Sequence, residues 1–174
     1  MKFVRLLISV IALVAGASAL AQDAVSLRLN WYLGGLHVPF YYGKEMGFFK
    51  QEGIDLTINE GRGSANTVQV VAAGSDTFGM ADSSSLITTA SKGADVKSVM
   101  SLLNSTGFSV VSLASAGIKT PKDLEGKSLA VSPGDPLGQL FRALAAHNKL
   151  DMNTIKFVQV DPADPAAATT VAAP

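Results

Sequence analysis

Apolar and polar residues alternate near the start of the chain, over residues 25–31, and this pattern predicts a half-buried β-strand. Apolar residues then recur at helical spacing over residues 38–50, and a second alternating stretch follows at 54–58. A helix between two strands this close in sequence is typical of a βαβ unit, whose strands lie parallel. We therefore expect the chain to begin as an α/β protein with a parallel sheet.

The same succession of patterns continues along the chain. It predicts further strands at 77–81, 96–102, 108–114, 127–132 and 155–160. It predicts helices at 67–73, 85–91 and 137–147, with the N-cap cluster Asp82-Ser83-Ser84-Ser85 before the second of these. Thr120 and Pro121 open a one-turn helix. Residues 161–174 are rich in Ala, Pro and Thr, and form either a disordered tail or the beginning of another helix.

Composition excludes several classes of function. The 174 residues are 48% hydrophobic, which is enough for a sizeable core, and the 14 basic side chains equal the 14 acidic ones in number. Because Lys and Arg do not cluster, no nucleic-acid partner is expected. Because Cys is absent, the chain has no disulfide framework, no thiol nucleophile and no Cys-based metal site.

The N-terminus has the three parts of a secretory signal peptide. Lys2 and Arg5 are its positive residues, residues 6–14 form its apolar run, and Ala19-Leu20-Ala21 offers a cleavage site. The alternative is a permanent membrane anchor, which the Ser and Gly residues that interrupt the apolar stretch disfavour. We expect residues 1–21 to be a signal peptide and the protein to be exported.

Aromatic residues are concentrated between residues 30 and 56, a stretch that contains the only Trp and all 3 Tyr residues of the chain. Flat rings beside the Gly34-Gly35 turn are typical of a cleft wall that holds a small planar or apolar ligand. The alternative is that these rings form the core of the first βα unit. For Trp31 and Tyr42 both interpretations stay open, and His37 is a candidate base or ligand donor.

Four loops of mixed Gly and polar composition follow predicted strands, at residues 30–37, 61–64, 82–85 and 132–137. In parallel α/β sheets, ligands bind beyond the carboxyl ends of the strands, where helix N-termini present free N–H groups. The serines of these loops have an alternative role as plain helix caps. The candidate ligand-binding residues in and beside these loops are Asn30, Trp31, His37, Tyr42, Gly63, Ser83, Ser84, Asp135 and Leu137.

The common catalytic and cofactor motifs are absent from the sequence. It has no complete G-x-x-x-x-G-K-S/T phosphate loop, no G-x-G-x-x-G dinucleotide fingerprint and no G-x-S-x-G nucleophile elbow. With only 2 His residues in the chain, one of them on a predicted helix surface, no two-His metal site is expected. We therefore expect a protein that binds a small molecule, with no catalytic residue, no metal and no cofactor.

Several motifs resemble those of one family of transport proteins, the nitrate, sulfonate and thiamine-pyrimidine solute-binding proteins of ABC importers. The segments that carry the likeness are Leu29-Asn30-Trp31 with the following His37, then residues 47–56, 74–81, 93–100 and 122–131. Their order and spacing are similar to those of the family. The likeness extends over nearly all of residues 26–160.

The resemblance implies a two-lobed periplasmic binding protein built from parallel βα units. Such a protein closes on a small-molecule solute and delivers it to an ABC permease in the membrane. The first lobe would occupy residues 23–114. The second would begin within residues 115–174 and be incomplete, as in a fragment or a truncated gene product. Family ligands include sulfonates, nitrate and the pyrimidine precursors of thiamine.

The resemblance also implies roles for the candidate residues. Trp31 and Tyr42 would stack on the ligand, Asn30 or His37 would supply a polar contact, and helix N–H groups near Ser84 and Leu137 would complete the site. Two other interpretations stay open: a pyrimidine-processing enzyme of the same superfamily, and a truncated binding protein without function. The enzymatic branch has a Cys-rich motif and no secretion signal, so the absence of Cys favours a binding protein.

Overall fold

The computed structural model describes residues 22–105 and 108–161. The predicted signal peptide, residues 1–21, and the Ala/Pro/Thr-rich tail after residue 161 lie outside this part of the chain. Among the described residues, no helix has both the length and the apolar character needed to cross a membrane.

The first sheet has three parallel strands in the described part of the chain. These are β1 (Asp23–Arg28), β2 (Ile54–Asn59) and β3 (Phe78–Gly79), with β1 in the middle. All six residues of β1 pair with β2, whereas only the last two pair with β3. The alternating pattern of β1 has its expected effect, because Leu27 is 9% exposed and Leu29, just after the strand, is fully buried. The predicted parallel α/β sheet is confirmed.

Four helices connect these strands or follow them: α1 (Val38–Glu45), α2 (Phe48–Gln51), α3 (Ser64–Ala72) and α4 (Ser83–Ala90). The single helix predicted over residues 38–50 is divided into α1 and α2 because Gly47 adopts a left-handed conformation with φ 74°. Phe40, Tyr41 and Phe49 pack against the buried leucines of the sheet. These three rings therefore have the core role that was the alternative for the aromatic stretch.

The predicted strands at 96–102 and 108–114 are wrong. Residues 94–105 and 108–113 form neither helix nor strand, and their apolar side chains face solvent, with Val99 77% and Val111 88% exposed. A strand needs a neighbour whose backbone accepts and donates its hydrogen bonds. In the described residues, the first sheet ends at the two-residue β3, and no residue of this segment pairs with it.

A second, two-stranded parallel sheet is formed by β4 (Ser128–Val131) and β5 (Lys156–Gln159). The helix α5 (Leu137–His147) connects them, with the bounds that its apolar spacing predicts. A separate core lies between this helix and the sheet. Its buried members are Leu124, Phe141, Ala145, Leu150 and Ile155.

A short 3-10 helix (Pro121–Leu124) precedes this second sheet, as the Thr120-Pro121 pair predicts. The carboxylate of Asp123 accepts hydrogen bonds from the Thr120 backbone N–H at 2.7 Å and from its hydroxyl at 3.0 Å. Two sheets with two separate cores fit the expected pair of lobes. The boundary near residue 115 stays a prediction.

Candidate functional site

The carboxyl ends of β1 and β2 are joined by backbone hydrogen bonds into one surface. The Gly61 N–H donates to the Trp31 carbonyl at 3.1 Å, and the Gly63 N–H donates to the Asn30 carbonyl at 2.9 Å. A Cβ atom at Gly61 would lie 1.8 Å from the Leu29 carbonyl oxygen, so only glycine allows the two loops to approach this closely. The loops after β1 and β2 therefore form one continuous wall.

The loop after β4 contacts this wall at a second pair of glycines. Gly63 has φ 107°, and a Cβ atom there would lie 2.7 Å from the carbonyl oxygen of Gly134. A Cβ atom at Gly134 would lie 3.2 Å from the Arg62 carbonyl oxygen. The ends of the first and second sheets thus meet backbone to backbone, and Gly63, a predicted ligand contact, lies at the contact between the lobes.

A cavity of about 300 Å³ opens beside this contact. Its lining comes from the carboxyl ends of β1, β2, β4 and β5, and consists of Trp31, Tyr32, Arg62, Pro133, Gln159, Val160 and Asp161. The Trp31 and Tyr32 rings are in edge-to-face contact, with centroids 5.8 Å apart and planes at 76°. The two rings provide an apolar wall, and polar side chains from both sheets complete the lining.

Arg62 is the basic member of this lining. Its side chain is exposed, and within the described part of the chain its guanidinium has no hydrogen bond or ion pair to a protein group. A guanidinium offers five N–H donors in a planar fork. Arg62 can therefore donate to acceptor atoms of a bound molecule without first breaking an interaction within the protein.

Asn30 and His37 are brought together, but behind the surface. His37 is 3% exposed, and its Nε2 and the Asn30 Oδ1 atom are 2.8 Å apart. The Gly34 N–H donates to Nδ1 of the same ring at 3.1 Å, so Nδ1 is unprotonated and Nε2 carries the hydrogen. Burial lowers the pKa of His37, and the charge of Glu60 opposes this only in part. His37 is neutral, with both ring nitrogens engaged within the protein.

The N-terminus of α4 is capped by an aspartate. Oδ1 of Asp82 accepts the N–H groups of Ser84 at 2.9 Å and Ser85 at 3.1 Å, and the Asp82 N–H donates to the buried Ser64 hydroxyl at 3.1 Å. Burial alone would raise the pKa of Asp82, but the hydrogen bonds from Ser84 and Ser85 outweigh it and lower this pKa. Asp82 is therefore ionised and neutralises the helix end that it caps.

Asp135 contacts the start of α5 in the second lobe, one residue before the N-cap residue Pro136, and accepts the first N–H group of the helix. Its Oδ1 accepts the Leu137 N–H at 2.8 Å. Burial raises the pKa of Asp135, and the nearby charge of Asp82 raises it further, while the Leu137 hydrogen bond acts in the opposite direction. The two carboxylates, one from each lobe, are thus close enough to influence each other electrostatically.

Several predicted site residues lie away from the cavity or are already engaged. Tyr42 is 58% exposed and contacts the Phe48 ring edge-on, and Ser83 is exposed on the first turn of α4. The N–H groups of Ser84 and Leu137 already donate to Asp82 and Asp135. A ligand could bind them only by displacing these carboxylates. The residue that caps α4 is Asp82, and Ser84 donates its N–H to that cap.

Of the predicted residues, only Trp31 lines the cavity. Tyr32 adjoins Trp31 in the sequence, and Arg62 adjoins Gly63, so both lay within loops that the strand pattern had indicated. Gln159, Val160 and the last described residue, Asp161, follow the same rule, since they form the carboxyl end of β5. The rule of strand ends would have found them if it had been applied to the last strand as well. Within the described residues, no group of three or more His, Asp or Glu side chains could hold a metal ion.

Sequence relatives of known name are proteins of pyrimidine metabolism and binding. The chain is 27% identical over 139 residues to a 4-amino-5-hydroxymethyl-2-methylpyrimidine phosphate synthase from Legionella pneumophila. It is 28% identical over 143 residues to a formylaminopyrimidine-binding protein from Halalkalibacterium halodurans. These alignments cover 80% and 79% of the chain but only 44% and 43% of the relatives, so the chain spans less than half of their length.

Two solved structures with a similar fold are sulfonate-binding proteins. The alkanesulfonate-binding protein SsuA from Xanthomonas axonopodis pv. citri superposes with a TM-score of 0.60 at 16% identity, over 86% of this chain and 52% of that one. A periplasmic sulfonate-binding protein SsuA from Methylobacillus flagellatus gives 0.50 at 20% identity, over 87% and 48%. The fold is that of the two-lobed periplasmic binding proteins, with a partial second lobe.

A family model described as NMT1/THI5 like matches residues 35–173 of the sequence. This match includes the helices after β1, the whole of β2 and β3, and both strands of the second sheet. The chain belongs to the NMT1/THI5-like family.

Proposed function

We propose that this chain is the ligand-binding part of an extracytoplasmic solute-binding component of an ABC importer, and that its solute is a small flat heterocycle of the pyrimidine class. The observation that carries the proposal is the cavity between the carboxyl ends of the two sheets, with Trp31 and Tyr32 as its aromatic wall. Ligands of α/β proteins bind at such strand ends. Flat rings stack on aromatic side chains over a large contact area.

The local charges support a heterocycle over a free sulfonate or nitrate. Anions bind well at helix N-termini because the N–H groups there are free. The N-termini of α4 and α5 already have the carboxylates of Asp82 and Asp135 on their N–H groups. At these two helix ends an anion would have to displace a carboxylate, whereas a pyrimidine offers ring nitrogens to Arg62 and a flat face to Trp31. The pyrimidine names of the sequence relatives agree with this choice.

Export and a membrane partner belong to the same proposal. Residues 1–21 have the pattern of a secretory signal peptide, and the solved structures with a similar fold include a periplasmic sulfonate-binding protein. The protein would collect its solute in the periplasm and present it to an ABC permease. Expression with and without residues 1–21, followed by osmotic release of the periplasm, tests the location directly. Equal amounts of released protein from both versions would contradict export by this segment.

A second candidate function is an enzyme that acts on a pyrimidine, because several relatives are named as pyrimidine phosphate synthases. His37 does not support it as a catalytic base, since both of its ring nitrogens are engaged within the protein. Incubation of the protein with a bound pyrimidine, followed by mass spectrometry of the ligand, separates the two candidates. Recovery of the unchanged ligand supports binding, and a new product supports the enzyme.

A thermal-shift screen tests the choice of ligand. A molecule that binds only the folded protein raises the melting temperature, by an amount that grows with its concentration relative to Kd. We expect aminopyrimidines to raise the melting temperature, and nitrate and simple alkanesulfonates to have a smaller effect at the same concentration. A larger shift with alkanesulfonates than with any aminopyrimidine would contradict the proposed solute class.

A further inference from the structure

The contact between the lobes brings together two carboxyl groups that the proposed function does not use. The Asp82 N–H donates to the hydroxyl of Ser64, the neighbour of Gly63, while Asp135 is the neighbour of Gly134. Gly63 and Gly134 are the two residues whose backbones meet. Asp82 is therefore one hydrogen bond away from the neighbour of Gly63, and Asp135 follows Gly134 directly in the sequence.

One oxygen of this pair has no hydrogen-bond donor. Oδ1 of Asp82 accepts the hydrogen bonds of the cap, but Oδ2 is buried from solvent and accepts none from any described residue. A buried acceptor left without a donor is destabilising. Oδ1 of Asp135 accepts the Leu137 N–H. Its Oδ2 is therefore the atom that could hold a proton and donate it in a hydrogen bond to Asp82.

We propose that Asp82 and Asp135 form a carboxyl pair that shares one proton between the lobes and holds the lobes together more firmly when that proton is bound. Protonated Asp135 donates its O–H to the Oδ2 atom of ionised Asp82, and no other bond is formed or broken. Loss of the proton leaves two negative charges at the contact, which repel each other. The proposal is independent of which solute binds in the cavity.

The surroundings of the two carboxyl groups favour a proton on Asp135 over one on Asp82. The Asp82 carboxylate is stabilised by the N–H groups of its helix, whereas burial and the charge of Asp82 favour the neutral form of Asp135 and raise its pKa. On the first lobe, Asp82 is the charged group whose field acts on Asp135. Arg62 and Asp161 line the neighbouring cavity, and their charges would modulate the pair without supplying its proton.

The sign of the pH dependence follows from the raised pKa of Asp135. A carboxyl group whose pKa is raised in the folded protein contributes a stability that is fully present below its ordinary pKa of 3.8. This stability is lost as the pH rises through the folded-state pKa. The lobes should therefore be held together most firmly in mildly acidic solution and separate more readily toward neutral pH.

The fluorescence of Trp31 can be used to follow this change. Trp31 is the only Trp, and it lines the cavity together with Pro133 and Gln159 of the second lobe. Access of acrylamide to Trp31 therefore reports separation of the lobes. We expect quenching of the wild-type protein to increase toward neutral pH as the shared proton is lost, against the opposite effect of His37, whose protonation loosens the loop of Trp31 as the pH falls.

The test uses the full chain with Asp135→Asn. An Asn at this position keeps the oxygen for the Leu137 N–H and offers a permanent N–H donor to Asp82. We expect the increase in quenching toward neutral pH to disappear, and a melting temperature about 2–4 °C above wild type near neutral pH, the shift typical of one hydrogen bond in a chain of this size. Near pH 4 the two proteins should melt alike.

Two further variants keep the test decisive. Asp82→Asn reverses the direction of donation and should also remove the increase in quenching toward neutral pH, so it replaces Asp135→Asn if that protein does not fold. Asp151→Asn is the matched control, because Asp151 is an exposed cap of the second lobe that accepts the Asn153 N–H at 3.0 Å. If the increase in Trp31 quenching toward neutral pH persists in both Asn variants of the pair, or disappears equally in Asp151→Asn, the proposal is overturned.

Discussion

The imidazole of His37 donates its Nε2 hydrogen to the Oδ1 atom of Asn30 across 2.8 Å, while its Nδ1 accepts the Gly34 N–H across 3.1 Å. This arrangement fixes the orientation of the Asn30 amide, because Oδ1 must face the ring and the NH₂ group must face away from it. His37 thus positions the loop after β1, on which Trp31 lies. The side chain of His37 therefore stabilises the conformation of this loop.

Protonation of His37 should weaken this loop. The added hydrogen on Nδ1 would remove the acceptor of the Gly34 N–H. Because burial places the folded-state pKa of His37 below its ordinary value of 6.5, the unfolded chain takes up the proton first as the pH falls. The stability that neutral His37 contributes is therefore present above pH 6.5 and is lost as the pH falls through its lowered folded-state pKa.

Urea unfolding of wild type and His37→Gln at about pH 7.5 and about pH 5 measures this contribution. The difference in unfolding free energy between the two proteins should shrink at the lower pH. His147→Gln is the control, because His147 is exposed at the end of α5. A difference between wild type and His37→Gln that is the same at both pH values would show that the ring does not titrate as described.

Close backbone approach at Gly63 predicts a specific sensitivity to substitution. Gly63→Ala would add a Cβ atom 2.7 Å from the Gly134 carbonyl oxygen, so the two lobes would have to move apart. Gly74→Ala is a matched control, since Gly74 also has a positive φ of 72° but no atom within 4 Å of the added Cβ. Both variants should lose about 1 kcal/mol through backbone strain.

Only Gly63→Ala should, in addition, make Trp31 more accessible to acrylamide. Equal quenching of Trp31 in the two alanine variants would mean that the glycine contact does not hold the lobes together. The comparison needs no knowledge of the ligand, so it tests the geometry of the site separately from its function.

The buried ion pair of the first sheet should be the most sensitive polar feature of the fold. Asp76 is 4% exposed and accepts hydrogen bonds from Arg28 Nε and from Asn59 Nδ2, both at 2.7 Å. It therefore ties the ends of β1 and β2 to the turn before β3. Asp76→Ala would leave the Arg28 charge without its partner and should lower the free energy of unfolding by about 2–4 kcal/mol. The loss is smaller than for a fully buried pair because Arg28 retains some solvent contact.

Chemical denaturation of Asp76→Ala beside Asp95→Ala checks this value. Asp95 is exposed and has no hydrogen bond or ion pair in the described part of the chain, so its removal should change the unfolding free energy by less than about 0.5 kcal/mol. A loss at Asp76 no larger than that at Asp95 would contradict the role of the pair.

Local periodicity predicted the elements whose partners lie close in the sequence. The bounds of α5 agree, and β1, β2 and β5 differ by a few residues at their ends. It failed at residues 96–102 and 108–114, because alternation indicates that a segment can be half buried but not that a neighbouring strand exists. It also missed the break at Gly47, where one left-handed residue divides a helix whose apolar spacing is continuous.

Of the residues that line the cavity, the sequence pattern named Trp31 alone. Trp31 was found because it combines an aromatic ring with a strand end, and Asp82 because its cluster with three serines is a clear cap signal. Arg62 and Gln159 line the same cavity although nearly one hundred residues separate them in the sequence. A local sequence pattern cannot predict that two such distant residues lie in one site. The burial of His37 and its two hydrogen bonds could not be predicted for the same reason, since both depend on the packing of the whole loop.

The central claim is that a flat heterocycle binds against Trp31 in the cavity between the lobes. Isothermal titration of wild type, Trp31→Ala and Tyr42→Ala with a formylaminopyrimidine tests it most directly, because Tyr42 is an exposed ring of the same stretch that does not line the cavity. We predict that Trp31→Ala weakens binding about 10-fold or more, as the loss of one stacked ring implies, while Tyr42→Ala binds like wild type. Unchanged affinity in Trp31→Ala, or an equal loss in both variants, would contradict the account.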